Sequence, residues 1–179
     1  MSGSSNDLTP PAPSVLVTLA MLAAIVPFVA GMIGLFVLTG AGFPYFGFLF
    51  ILYWAGVMRL EPAEFLPSVL GSLCGIGLAW LLIALPSIAG LPRQVIGGVA
   101  LAGTLFCLLR GQAHIIINNA VMLFLTVSAI SELEIAKNVW MMVASTLIGA
   151  AYMGILVFTM RAVGKRASRK EDAGLTAAL

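Results

Sequence analysis

RGQAHIIINNAVMLFLTV, which begins at Arg110, concentrates polar side chains in an otherwise aliphatic stretch. His114 is the only histidine in the chain, and Asn118 and Asn119 follow it closely. Residues four apart on a helix share a face, so a helical reading pairs His114 with Asn118. Asn119 then lies about 100° further round. Two chemistries fit this pattern. Amides both donate and accept, so the asparagines would line a path for water, amide-like molecules or hydrated small solutes. His114 would add pH sensitivity, Arg110 would favour anions, and Tyr45 from an earlier apolar stretch would complete the lining. Alternatively, an asparagine bonds a neighbouring helix, a link averaging about 0.6 kcal/mol in membranes.

Little else in the chain carries reactive chemistry. Cys74 and Cys107 are far apart, form no CxxC and sit among apolar residues, where cysteine packs as a small hydrophobe. With one histidine, neither HExxH nor a Ser–His pair is available. Phosphate-cradling and dinucleotide fingerprints are missing. The expectation is no enzyme, no metal and no cofactor. Asp and Glu fall outside every apolar run. Ion-coupled transport usually needs an ionisable group within the membrane, so a proton-driven antiporter is disfavoured.

The elements that hold these groups follow from composition. Of 179 residues, 61% are hydrophobic and 9% charged, with mean hydropathy +1.10. Soluble domains carry roughly 25% charged residues, so a bilayer is the better solvent. Six apolar runs cover residues 14–39, 43–58, 65–85, 94–109, 113–130 and 138–160. They are continuously apolar and lack the alternation of barrel strands, so the expected class is all-α, a polytopic membrane protein with six transmembrane helices. A straight crossing takes about 20 residues. The second and fourth runs are short for that, and residues 43–58 are open to spanning or re-entering.

Charge orients the chain. With the N-terminus inside, Arg59, Arg110 and the basic residues Arg161, Lys165, Arg166, Arg169 and Lys170 are cytoplasmic, leaving Arg93 and Lys137 outside. Seven against two is a positive-inside bias. The expected location is therefore the cytoplasmic (inner) membrane, multi-pass, with both termini in the cytoplasm. Residues 1–13, rich in proline and lacking a basic leader, read as a disordered tail, 14–162 as the membrane domain and 163–179 as a basic tail. That tail reads as membrane-adjacent, with lipid and not nucleic acid as its partner. Small-residue faces (Gly71, Gly75 and Ala79; Ser145 and Gly149; Ala150 and Gly154; Gly98 and Ala102) allow close helix packing. They would pack the bundle internally or join copies in a homo-oligomer.

The halves share internal matches. GSLCG at Gly71–Gly75 pairs with STLIG at Ser145–Gly149 at a separation of 74. RLE at Arg59–Glu61 pairs with ELE at Glu132–Glu134 at 73, and MIGLF at Met32–Phe36 with LAGTLF at Leu101–Phe106 at 70. Three helices per unit would turn the second copy upside down, a 3+3 inverted repeat of the kind common in transporters.

WAGVM, the charged turn RLEPAE and the helix ending GIGLAWLLIALP resemble small bacterial inner-membrane proteins of the YcdZ type. More distantly, their order is similar to half-units of the fusaric-acid-resistance and aromatic-acid-exporter group. The first resemblance implies no activity; the second implies permeation or efflux of small organic acids. The chain lacks the soluble domain of those exporters. The functional expectation is a channel or facilitator for a small polar solute or organic anion, lined by Arg110, His114, Asn118, Asn119 and Tyr45. The alternative is a non-transporting scaffold that binds another membrane protein.

Overall fold

The computed structural model describes residues 14–89, 92–110, 115–130 and 132–177. Every regular element among them is helical. The helices are α1 (Val15–Thr39), α2 (Pro44–Leu52), α3 (Phe65–Ala89), α4 (Arg93–Leu109), α5 (Asn119–Ile130) and α6 (Glu132–Ala177). Two stretches, Pro62–Leu85 and Lys137–Arg166, are long and apolar enough to cross a membrane.

Local chemistry sets the boundaries. Ser14 accepts from Val17 N–H to start α1, and Gly40, at φ 63°, closes it with a left-handed turn that glycine adopts without penalty. Pro44 starts α2, where its missing N–H costs nothing. After only 9 residues α2 widens into a π-helical turn, Tyr53–Val57. Arg59 and Leu60 then both take positive φ, 50° and 59°. That conformation is costly for side-chain-bearing residues, and three bonds hold it: Leu60 N–H to Trp54 O, Trp54 Nε1–H to Glu61 O and Arg161 Nη2–H to Leu60 O. A short 3₁₀ turn, Pro62–Glu64, leads into α3.

Two expected boundaries move. Run five was expected to be helical from Ala113, but residues 115–118 form turns and α5 starts at Asn119. Three successive β-branched residues, Ile115–Ile117, favour extended chain, and the Asn118 side chain bonds its own backbone two residues on, as a cap does. Helix α6 runs past both ends of its apolar run, with a break at Asn138 (φ −127°, ψ 24°). It continues through the stretch expected to be a tail.

The core is four helices. Helix α3 packs on α5 and α6, α2 packs on α6, and α1 and α4 lie outside, against α6 and α3 respectively. Contacts fix the directions. The Phe65 ring lies 5.6 Å from that of Phe158, while Trp80 and Gly77 line a cavity with Lys137 and Trp140; α3 and α6 are therefore antiparallel. Gly47 meets Gly149 and Trp54 meets Phe158, so α2 runs parallel to α6. Pro67 meets Asn118 and Gly75 meets Val121, so α3 runs parallel to α5.

The same buried positions recur in both halves. In α3, Ser68, Gly71, Ser72, Gly75, Ile76 and Ala79 are buried; adding 74 gives Met142, Ser145, Thr146, Gly149, Ala150 and Met153 of α6, all buried. Phe46, Gly47, Phe50 and Ile51 of α2, and Trp54 of the π turn after it, map by the same step onto Ala120, Val121, Phe124, Leu125 and Ser128 of α5, again all buried. The closest approaches also match. A Cβ on Gly75 would lie 2.6 Å from Val121 O, and one on Gly149 would lie 2.6 Å from Gly47 O. Ser72 and Thr146 back-bond to Ser68 O and Met142 O at 2.7 and 2.9 Å. The RLE and ELE pairing falls one residue off this register. At separation 70, Met32 and Phe36 are buried whereas Ala102 and Phe106 are exposed, so α1 and α4 do not share that pairing.

Candidate functional site

Asn118 is the best-defined polar group of the candidate set. It is 4% exposed. Its Nδ2–H donates to Pro67 O at 2.7 Å, and its Oδ1 accepts from Ala120 N–H at 2.9 Å. Gly71 leaves room for this amide, since a Cβ there would collide with Oδ1. The side chain therefore does two jobs, capping α5 and tying it to α3. In this arrangement it serves as interhelix glue.

The other members of the set are dispersed. Asn119 is exposed on the first turn of α5. Arg110, exposed at the end of α4, holds its guanidinium 5.3 Å from the Phe106 ring, a cation–π contact within its own helix. His114 lies outside the described residues, and with it the expected helix face shared with Asn118. Tyr45, 41% exposed, is on α2, stacked near Phe46 (4.8 Å) and edge-on to Phe43 (5.9 Å).

Tyr45 instead borders an open groove of about 840 Å³ among α1, α2, α5 and α6, with Phe28, Phe48, Leu52, Val127 and Met153 in its walls. Small-molecule sites typically measure about 300–1,000 Å³ and are mostly apolar with a few polar groups. Here the Tyr45 hydroxyl is the side-chain polar group of the lining.

Sequence reasoning missed several groups that hold the helices. Ser145 Oγ donates to Gly42 O, fastening α6 to the entry of α2. Tyr152 donates to Phe28 O at 3.1 Å and stacks on that ring at 5.2 Å, fastening α1 to α6. Tyr53, 3% exposed, has a buried hydroxyl without a hydrogen-bond partner within bonding distance. Ser128 is likewise buried with an unpartnered Oγ. Tyr53 sits in an aromatic run that reads as interfacial, so its burial left no signal in the sequence. Cys74 and Cys107 are unbridged and half-buried. Among the described residues no group of His, Cys, Asp and Glu could hold a metal ion.

No protein-family model matches the chain, and no curated protein or solved structure matches it significantly.

Proposed function

We propose that the chain is a six-helix integral membrane protein, built as a 3+3 inverted repeat, that passes small organic solutes across the cytoplasmic membrane. One observation carries the reading. Two unusually short helices, α2 with 9 residues and α5 with 12, occupy corresponding positions in the two halves. Paired short segments of this kind mark the substrate region in inverted-repeat transporters. The 74-residue register and the antiparallel α3–α6 pair support the repeat. A two-fold relating antiparallel helices lies across them, which inverts one half relative to the other. Exposed apolar side chains along α1, α4 and α6, Leu16, Leu38, Leu109 and Ile155 among them, support the bilayer setting. Arg161, bonded to Leu60 O, puts the Arg59 turn and the start of the basic segment at one end, with Lys137 toward the other. This supports a cytoplasmic face at the Arg161 end.

The groove beside Tyr45 favours amphipathic solutes, aromatic acids before urea or ammonium. Liposomes holding the pure protein test the reading. Benzoate-like acids should equilibrate faster than across protein-free vesicles, and Tyr45→Trp, which fills part of the groove, should slow them. Equal flux with and without protein across aromatic acids, formate and urea would sink it.

A second reading, a non-transporting scaffold, is favoured by the filled centre: Phe46, Phe50, Trp54 and Phe124 are fully buried and Asn118 is occupied. A stoichiometric partner recovered from native membranes, together with absent flux, would select it.

A further inference from the structure

We infer that the cytoplasmic end of α6 carries a binding site for one anionic phospholipid. Two adjoining cavities form it. The first, about 310 Å³, is walled by Pro62, Phe158, Arg161, Ala162 and Lys165. The second, about 450 Å³, is a groove on α3 and α6 walled by Phe65, Ala151, Gly154, Ile155, Phe158 and Thr159. Phe158 belongs to both, so a basic pocket opens directly onto an apolar groove.

Each part matches a part of the lipid. Arg161 is held in place by its 2.9 Å bond to Leu60 O. That bond uses one of five guanidinium N–H donors, and a guanidinium presents its donors in a fork that fits phosphate oxygens. Lys165 is one turn on, on the same helix face. The anchoring carbonyl is itself displayed by the unusual pair of positive-φ residues, Arg59 and Leu60. Non-glycine strain of this kind collects where a backbone group must be aimed. Below the basic pair the groove runs past the exposed Ala151, with the Phe65 ring packed over Gly154 as one of its walls. From Ala151 to Arg161 is about 15 Å along the helix, the hydrocarbon depth of one leaflet of a roughly 30 Å core. The acyl chain lies in the groove and the phosphate meets Arg161. Glu61 and Glu64 belong to the neighbouring turn, but neither walls the pocket.

The site depends on the bilayer reading but not on solute passage. Native mass spectrometry of the detergent-purified full chain tests it, using phosphatidylglycerol, phosphatidylcholine and inorganic phosphate as separate probes. Phosphatidylglycerol should be retained at one per chain and phosphatidylcholine should not, with millimolar phosphate failing to displace the lipid. Arg161→Gln should weaken retention about five-fold, and Arg161→Gln with Lys165→Gln about twenty-five-fold, at roughly 1 kcal/mol per basic residue. Ala151→Phe, at an exposed position, should block the groove with both charges intact; Ile155→Trp is the second such variant if the first loses helicity. Unchanged phosphatidylglycerol binding in the double variant would overturn the proposal, as would displacement by free phosphate with no effect of filling the groove. Alkaline extraction of native membranes reads the bilayer setting separately: release of the chain there refutes that setting, whereas retention with no lipid preference refutes the site alone.

Discussion

The matched crossings bury eleven corresponding pairs of positions with different chemistry, although the register is broken at Gly154 and Asn118, whose counterparts Trp80 and Pro44 are exposed. At the α3–α5 crossing, Gly75 abuts the backbone of Val121. At the matched α6–α2 crossing, Gly149 abuts Gly47, so both partners are glycine. At the helix entries, Asn118 ties α5 to Pro67 O, whereas Ser145 ties α6 to Gly42 O. At the far ends, Trp54 anchors the turn after α2 through Glu61 O, while its counterpart Ser128 has no partner. What persists is the approach distance between backbones. In lipid, burying apolar surface gives helices little reason to associate, so van der Waals contact at close range and a few interhelix bonds do the work. Close contact needs small residues at fixed positions; the bonds can be made by any suitable donor nearby. The positions therefore recur, and the polar groups do not.

The largest effect should come from exchanging residues between the matched crossings. Gly47→Val copies the residue at position 121. Its Cβ would meet Ser145 O at 2.7 Å and Phe36 at 2.6 Å. Overpacking costs typically about 1–3 kcal/mol and more where backbone must shift, so the variant should unfold at markedly lower temperature or fail to accumulate. The reverse exchange, Val121→Gly, should also destabilise, because the Val121 side chain is fully buried and glycine inside a helix costs about 0.5–1 kcal/mol relative to alanine. Thermal unfolding of both in one detergent compares them. An unchanged unfolding temperature for Gly47→Val would break the claim that close backbone approach at this crossing excludes a side chain.

Next comes Asn118→Leu. It removes the cap on Ala120 N–H, worth about 0.5–2 kcal/mol, and the link to Pro67 O, worth about 0.6 kcal/mol. Asn118→Asp should recover the capping part only, since a carboxylate accepts from Ala120 N–H but offers Pro67 O no donor. Ser145→Ala, which loses one interhelix bond, should cost about 0.6 kcal/mol, at most about 1.7. The order Asn118→Leu, then Ser145→Ala, in unfolding free energy is the measurable outcome; the reverse order would mean that the α6 entry is the stronger tie. Asn118→Leu is for the same reason a poor probe of a path, because lost flux would follow from a loosened α5.

The long helices were legible because continuous apolar runs in a chain this poor in charge leave few alternatives. GSLCG and STLIG revealed the register because close approach restricts residue size. The start of α5 was not legible. Apolarity is equally high on both sides of Asn118, and hydropathy does not separate a helix from the turn before it. Asn118 was readable as either lining or glue, and the partner that makes it a tie, Pro67 O, lies 51 residues away in the sequence. The extension of α6 was hidden for the opposite reason: polar residues continue its helix where the apolar signal stops. The apparent match at 70 carries no shared packing, because Met32 and Phe36 of α1 are buried whereas Ala102 and Phe106 of α4 are exposed. Gly98, with nothing near its missing side chain, shows how loosely that outer face is specified.

The smallest stability effect should be at Tyr45, and it separates the two functional readings. Tyr45 corresponds to Asn119 in the 74-residue register, and both positions are exposed. Removing the hydroxyl with Tyr45→Phe leaves the ring contacts with Phe46 and Phe43 in place. Exposed substitutions of this kind usually stay within about 0.5 kcal/mol, so the unfolding temperature should hold. In the permeation reading that hydroxyl is the polar contact of the groove, and a hydrogen bond to a charged solute is worth about 1.5–3 kcal/mol. Benzoate flux through Tyr45→Phe should then fall by about ten-fold or more, while an uncharged aromatic of the same size should pass as before. A protein whose stability and flux are both indifferent to Tyr45→Phe has its solute contact elsewhere or none, and the halves then match for packing alone.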